Sequence, residues 1–153
     1  MSVALQDTRT TVMLSATTAS AAGTSKGYLD TLGWDHARII ATTGTYSSGT
    51  HAMAVLSLTE ATNSAAATAI PAFTGTTNTV TVSGTSGFVI PIGVTDTGQA
   101  FCFDVDLRKR ERYMAINWTG GASASGLSAI AILSRGRVMP GTSAGNMVIE
   151  VVG

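Results

Sequence analysis

Two histidines, His36 and His51, are the side chains of this 153-residue chain that ordinarily titrate near neutral pH. Asp35 stands beside His36 and serines are plentiful, so nucleophilic hydrolysis by a Ser/His/Asp set is the first chemistry to test. Adjacent strand residues point to opposite faces, which leaves Asp35 badly placed to orient His36, and the serines are expected to offer no nucleophile elbow of the G-x-S-x-G type. Asp104 and Asp106 lie two apart, so in a strand both carboxylates face one side, as a paired acid and base or a hard cation would need. Two carboxylates fall short of the six to eight oxygens, roughly, that calcium takes, and no loop of the EF-hand kind occurs, so no metal is expected. Cys102, the single cysteine, excludes an intramolecular disulfide, has no adjacent histidine to activate it, and reads as a small buried or interface thiol. The expectation is a protein without catalytic residues, cofactor or metal, and not an enzyme.

One charge feature is concentrated. Arg108, Lys109, Arg110 and Arg112 put four of the nine basic residues within five positions, and Arg135 with Arg137 adds a looser pair. The first group can dock on an acidic partner or a phosphate, or can be a solvated turn neutralised by Asp104, Asp106 and Glu111. Single-strand readers interleave aromatic platforms with such cations, and here only Tyr113 is near. Nine Lys/Arg against nine Asp/Glu also leave no overall field to gather nucleic acid or an anionic membrane. Trp34, Trp118, Tyr28 and Tyr113 could line a sugar site, but so few aromatics are more simply core or interface anchors.

The elements that would carry these residues are strands. Thr, Val and Ile dominate between loops of Gly, Ser, Ala and Thr, and no segment sustains helical periodicity. In Phe101–Leu107 the residues Phe101, Phe103, Val105 and Leu107 share a face, predicting a half-buried strand. After the turn-like Arg108–Glu111, the run Arg112–Trp118 aligns Met114, Ile116 and Trp118, so the two runs read as an antiparallel hairpin. Further strands are expected at Thr11–Leu14, Ala37–Thr43, His51–Thr59, Thr79–Ser83, Phe88–Ile92, Leu127–Ser134 and Met147–Val152. Ala16–Lys26 and Ala61–Thr77 read as loops or arms, the second with a short helical turn at Ala65–Ala69. Many short strands with frequent turns predict an all-β sandwich or barrel. The chain is expected to be one domain, with residues 1–26 an N-terminal arm and first strand and 27–153 the sandwich.

Only 12% of the residues are charged, against about 25% in an average globular protein, yet no stretch approaches the roughly 18 apolar residues of a membrane span. Such a chain is expected to hide surface against other subunits. The apolar residues at both parities of Ala129–Leu133 and Met147–Val152 point to a neighbouring copy over a second sheet face. Met1 to Arg9 lack a basic start followed by an apolar run, so folding in a cytoplasm is expected.

Three segments, Gly27–Ala37 (GYLDTLGWDHA), Asp104–Tyr113 (DVDLRKRERY) and Ala129–Arg135 (AIAILSR), in their order and spacing resemble structural virion proteins of tailed bacteriophages. The resemblance implies a capsid decoration or cement protein: a jelly-roll-like antiparallel β-sandwich that forms homotrimers on the outside of the head shell and braces the major capsid protein. It implies a location on the virion after assembly in the host cytoplasm, while the balanced charge is the ground for expecting neither nucleic acid nor membrane as partner. The alternatives are a tail, neck or fibre component, which the same residues fit, and a carbohydrate-binding β-sandwich. The arm Ser2–Thr11 and the basic turn Arg108–Arg112 are the expected places of shell contact.

Overall fold

A computed structural model of the chain describes residues 8–19, 23–44, 53–65, 67–76, 87–90, 99–121, 125–134 and 149–152. These form ten strands, β1 (Thr8–Ala19), β2 (Thr24–Asp30), β3 (His36–Thr43), β4 (Met53–Ala61), β5 (Thr68–Thr76), β6 (Phe88–Val89), β7 (Ala100–Asp106), β8 (Tyr113–Gly120), β9 (Ser125–Ser134) and β10 (Ile149–Val152), with a 3-10 turn at Leu107–Lys109. They build two five-stranded sheets, one ordered β1-β9-β3-β7-β10 and the other β2-β8-β4-β5-β6.

The pairing has one organising rule. β4 pairs with β5, β3 with β7, β2 with β8 and β1 with β9, all antiparallel, so the chain is one long hairpin whose successive layers fall alternately in the two sheets. A hairpin rolled up in this way is a jelly roll. The all-β sandwich expected from strand and turn spacing is therefore the fold. It departs from a purely antiparallel sandwich where β10 joins β7 and β6 joins β5, both in parallel.

Alternation explains why these residues make these sheets. Ala37, Ile39 and Ala41 of β3, Phe101, Phe103 and Val105 of β7, and Leu127, Ala129, Ala131 and Leu133 of β9 turn inward from one sheet and are buried. Leu56 and Leu58 of β4, Ile70 and Phe73 of β5, and Met114, Ile116 and Trp118 of β8 meet them from the other. The gap closes through Phe73 and Phe103, edge to face at 6.0 Å, and through Phe88, whose ring lies 5.7 Å from that of Phe103.

Several sequence expectations need correction. Phe101–Leu107 and Arg112–Trp118 are not a hairpin: β7 pairs with β3 and β10, β8 with β2 and β4, and the segment between them crosses from one sheet to the other. In a rolled hairpin a strand's partner is the one equally far from the tip, and sequence adjacency does not decide it. β7 is also not half-buried, since Cys102 and Asp104 on its second face are covered as fully as Phe101 and Phe103.

Ala16–Lys26 is mostly strand, carried by β1 to Ala19 and by β2 from Thr24. Small residues hide the alternation there, and β1 also shifts register against β9 at Val12/Leu14 and Leu14/Thr17. A side chain at Gly27 would run into the Met13 carbonyl, so glycine is what lets the two edge strands touch. Ala61–Thr77 likewise contains β5, and Thr68 and Ala69 of the helical turn expected at Ala65–Ala69 belong to that strand. Pro71 sits where the β4–β5 register shifts, between the pairs Ser57↔Thr74 and Thr59↔Ala69, a place that asks no ladder bond of its missing N–H. Residues 8–11 of the expected arm form the start of β1. The strand expected at Thr79–Ser83, His51, residues 2–7, Met147 and the pair Arg135 and Arg137 lie outside the described residues.

Candidate functional site

The basic cluster occupies the crossover from β7 to β8 at one end of the sandwich. Asp106 caps the 3-10 turn by accepting from the Arg108 backbone N–H at 3.1 Å, and the turn closes with Arg110 N–H donating to the Leu107 carbonyl at 3.0 Å. The neighbouring β2–β3 crossover is laced to it: Leu107 N–H donates to the Asp35 carbonyl at 2.9 Å, and the Thr31 N–H and hydroxyl both donate to the Arg112 carbonyl at 3.0 and 2.6 Å. The β4 terminus joins from the other side, where Glu60 Oε2 accepts from the Glu111 N–H at 3.1 Å.

Each arginine of the cluster has a carboxylate. Arg108 grips Asp106 with Nε at 2.9 Å and Nη2 at 2.6 Å. Arg112 holds Asp30 in the same forked way at 3.0 and 2.7 Å, with its guanidinium 4.8 Å from the Tyr113 ring centre. Arg110 lies 3.5 Å from Glu60 and over the Phe73 ring. The charge-assisted hydrogen bonds of Arg108 hold the Asp106 carboxyl far below the usual carboxylate range, and those of Arg112 lower that of Asp30; both guanidiniums are raised in return. Lys109 is exposed and forms no ion pair with another described residue.

The local neutralisation expected of this turn therefore involves Asp106, Glu60 and Asp30. Asp104 serves elsewhere, with Oδ1 at 3.8 Å from Arg38 Nε and 3.6 Å from His36 Nε2. Asp30 and Glu60 are distant in sequence, and only the strand register brings them here.

A second constellation went unseen in the sequence. Ser134 on β9, His36 on β3 and Asp104 on β7 line up across three neighbouring strands, with Ser134 Oγ 3.4 Å from His36 Nδ1. The residue types are those of a hydrolytic triad, but the contacts are longer than the roughly 2.6–3.2 Å of a nucleophile and its base, and Asp104 shares its oxygen with Arg38. Asp104 is buried, and neither carboxylate oxygen has a hydrogen-bond partner. The row is a cross-strand polar contact that ties three strands. Contrary to expectation, the spacing G-x-S-x-G does occur, at Gly23–Gly27 and Gly141–Gly145. Ser25 of the first lies within β2 and not on a strand-to-helix turn, and the second is outside the described residues.

Among the described residues no three His, Cys, Asp or Glu side chains gather as a metal ion would need, and no helix is long and apolar enough to cross a membrane. Cys102 is a buried thiol that accepts from Arg38 Nε at 3.1 Å. Trp118 is wholly buried, with Nε1 lacking a hydrogen-bond partner, and Trp34 packs against the core, so these two do not form an open sugar platform. Tyr28 is exposed on β2 and Tyr113 is half-buried on β8. Two clefts stand apart from the basic turn. One of about 490 Å³ runs between Met13–Thr17 and Ser25–Tyr28, and one of about 270 Å³ between Ala16–Thr18, Thr42–Gly44 and Gly126–Ser128. Hydroxyls line both, and Lys26 brings the one charge, its ammonium donating to the Ala65 carbonyl at 2.6 Å.

No protein-family model matches the chain, and no curated protein matches it. Among solved structures it is similar to a chain of the infectious bursal disease virus Gx strain, with 13% identity and a TM-score of 0.43 over 88% of this chain. The match spans 34% of that longer chain. A likeness this loose bears on neither function nor partners, and the jelly roll stands on the strand pairing alone.

Proposed function

We propose that this chain is a structural subunit of a virus particle, and more narrowly a decoration or cement protein that binds the outside of a tailed-phage head as a homotrimer and braces the major capsid protein. The observation that carries the reading is the rolled-hairpin sandwich in which Arg108, Arg110 and Arg112 hold the chain's own crossovers together, in a chain that resembles phage virion proteins along Gly27–Ala37, Asp104–Tyr113 and Ala129–Arg135. On this reading there is no turnover and no cofactor. The mechanism is added interface: a multimer that touches several shell subunits makes every contact after the first effectively intramolecular, so weak individual contacts hold firmly.

Arg108, Lys109, Arg110 and Arg112 are the proposed shell contacts, and the structure ranks them for experiment. Replacing Arg108, Arg110 or Arg112 dismantles a local ion pair, whereas Lys109 is exposed and outside those pairs. Purified protein mixed with heads that lack it should cosediment with them, and Lys109→Glu should weaken that binding while leaving the thermal midpoint unchanged. Heads that bind none of the wild-type protein would remove the head-decoration reading in favour of a tail, neck or fibre location, which labelling on intact particles resolves. A carbohydrate-binding module is the reading from another class, favoured by exposed Tyr28; glycan-array binding lost in Tyr28→Ala would establish it.

A further inference from the structure

We propose that Leu32, at the tip of the β2–β3 crossover, is the apolar anchor by which this chain docks on a different protein of the particle, one that offers an apolar socket with a polar rim. The inference rests on the virion-subunit reading above and names the residue at the centre of its contact.

Five large apolar side chains are exposed among the described residues, and Leu32 is the most exposed of them at 66%. It is also the one outside the strands, since Val12, Tyr28, Val89 and Ile130 belong to β1, β2, β6 and β9. The turn that carries it is Thr31–Trp34, closed by the Trp34 N–H donating to the Thr31 carbonyl at 3.1 Å. Gly33 takes the third position at φ +84°, a conformation that such a turn reserves for glycine, and no atom lies within 4 Å of its missing Cβ. The tip is therefore convex.

Loops are ordinarily the mobile parts of a fold, but this tip is pinned on both sides. Leu32 N–H itself donates to Asp30 Oδ1 at 3.1 Å. Before it, Thr31 is buried and donates twice to the Arg112 carbonyl, and Asp30 is held in the Arg112 fork. After it, Trp34 packs against the core, and the Asp35 carbonyl accepts from the Leu107 N–H at 2.9 Å. A leucine presented on so fixed a backbone docks without the ordering entropy that a loose loop would lose, which is what pre-organises a binding anchor.

Shape identifies the occupant. A convex apolar knob is complemented by a concave apolar socket, and the two clefts among the described residues are lined with hydroxyls. One lies between the edge strands β1 and β2, and the other reaches Thr42–Gly44, at the far end of β3 from this crossover. A second copy of this chain thus offers, among the described residues, no socket for Leu32, and the partner is a different protein. Asp35, Lys109 and Glu111 are exposed on the two laced crossovers and supply a polar rim of both signs around the apolar centre.

The test is cosedimentation with heads that lack the protein, read as a binding constant. Leu32→Ala should bind about tenfold or more weakly, the share that burying one leucine side chain supplies, whereas Leu32→Met keeps the apolar bulk and should bind within about threefold of wild type. Val12→Ala, which trims a comparably exposed residue on β1, should bind like wild type, and all three variants should keep its thermal midpoint. In intact particles, p-benzoylphenylalanine in place of Leu32 should on irradiation join this chain to a different particle protein. Unchanged binding by Leu32→Ala, or a position 32 that joins no other kind of protein, overturns the inference. Wild-type protein that binds no heads removes the head-decoration reading alone, because the cross-link in intact particles still reports whether position 32 meets another particle protein.

Discussion

Arg112 on the β7–β8 crossover and Asp30 at the end of β2 form a two-pronged ion pair, 82 positions apart in sequence and 2.7 Å apart at Nη2 and Oδ2. With Thr31 donating twice to the Arg112 carbonyl, the pair fastens the two crossovers at this end to each other.

The pair makes an acid-dependent contribution with a definite sign. Asp30 titrates below its ordinary 3.8 in the folded chain because Arg112 favours the carboxylate. The stabilisation is therefore present above that value and is lost as the pH falls through the lower folded value. Asp30→Asn should lower the thermal midpoint at pH 7, and the gap from wild type should close as melts are repeated downward from about pH 4. Both side chains are almost half exposed, so the gap should also shrink in molar salt.

Asp104 is the ionic group whose isolation should cost most. Its carboxylate is buried between Arg38 and His36 without a hydrogen bond to either oxygen. Arg38→Met keeps most of the side-chain volume and leaves the carboxylate less compensated, which should destabilise by about 3–5 kcal/mol in denaturant titration. Arg38→Met/Asp104→Leu should recover much of that loss, because the cost lies in the uncompensated charge.

Phe103 joins the sheets by touching both Phe73 and Phe88. Phe103→Ala should cost about 3–5 kcal/mol, read as a lower guanidinium midpoint. Phe103→Leu should cost markedly less, since it keeps most of the apolar volume.

Gly27 is required by a close approach. A Cβ there would meet the Met13 carbonyl and the Leu14 side chain, so Gly27→Ala should force β1 away from β2 and destabilise by about 1–3 kcal/mol. Hydrogen exchange in Thr8–Ala19 should accelerate more than exchange in β3 or β7. Gly33, at φ +84° with no atom near its missing Cβ, is the contrasting case: Gly33→Ala should cost only backbone strain, about 1 kcal/mol.

The sequence by itself determined the kind of element and which residues face inward. Phe101, Phe103, Val105, Met114, Ile116 and Trp118 announce their buried faces because a strand's side chains alternate with a period of two, a local property of the chain. Apolar residues at both parities of Ala129–Leu133 signalled a second apolar face, and Ile130 lies on it, exposed. Where side chains are small, as in Ala16–Lys26, the same period is present but writes no contrast, and strands read as loops. Partnership was decided only by the tertiary structure. β7 and β8 are neighbours in sequence and lie in different sheets, because rolling a hairpin pairs strands by their distance from its tip. Each ion pair of the basic turn that reaches beyond it, Arg112 with Asp30 and Arg110 with Glu60, depends on that long-range register, as does the meeting of Ser134, His36 and Asp104. Composition placed the charges in the chain, and only the rolled pairing determined which of them neutralise one another.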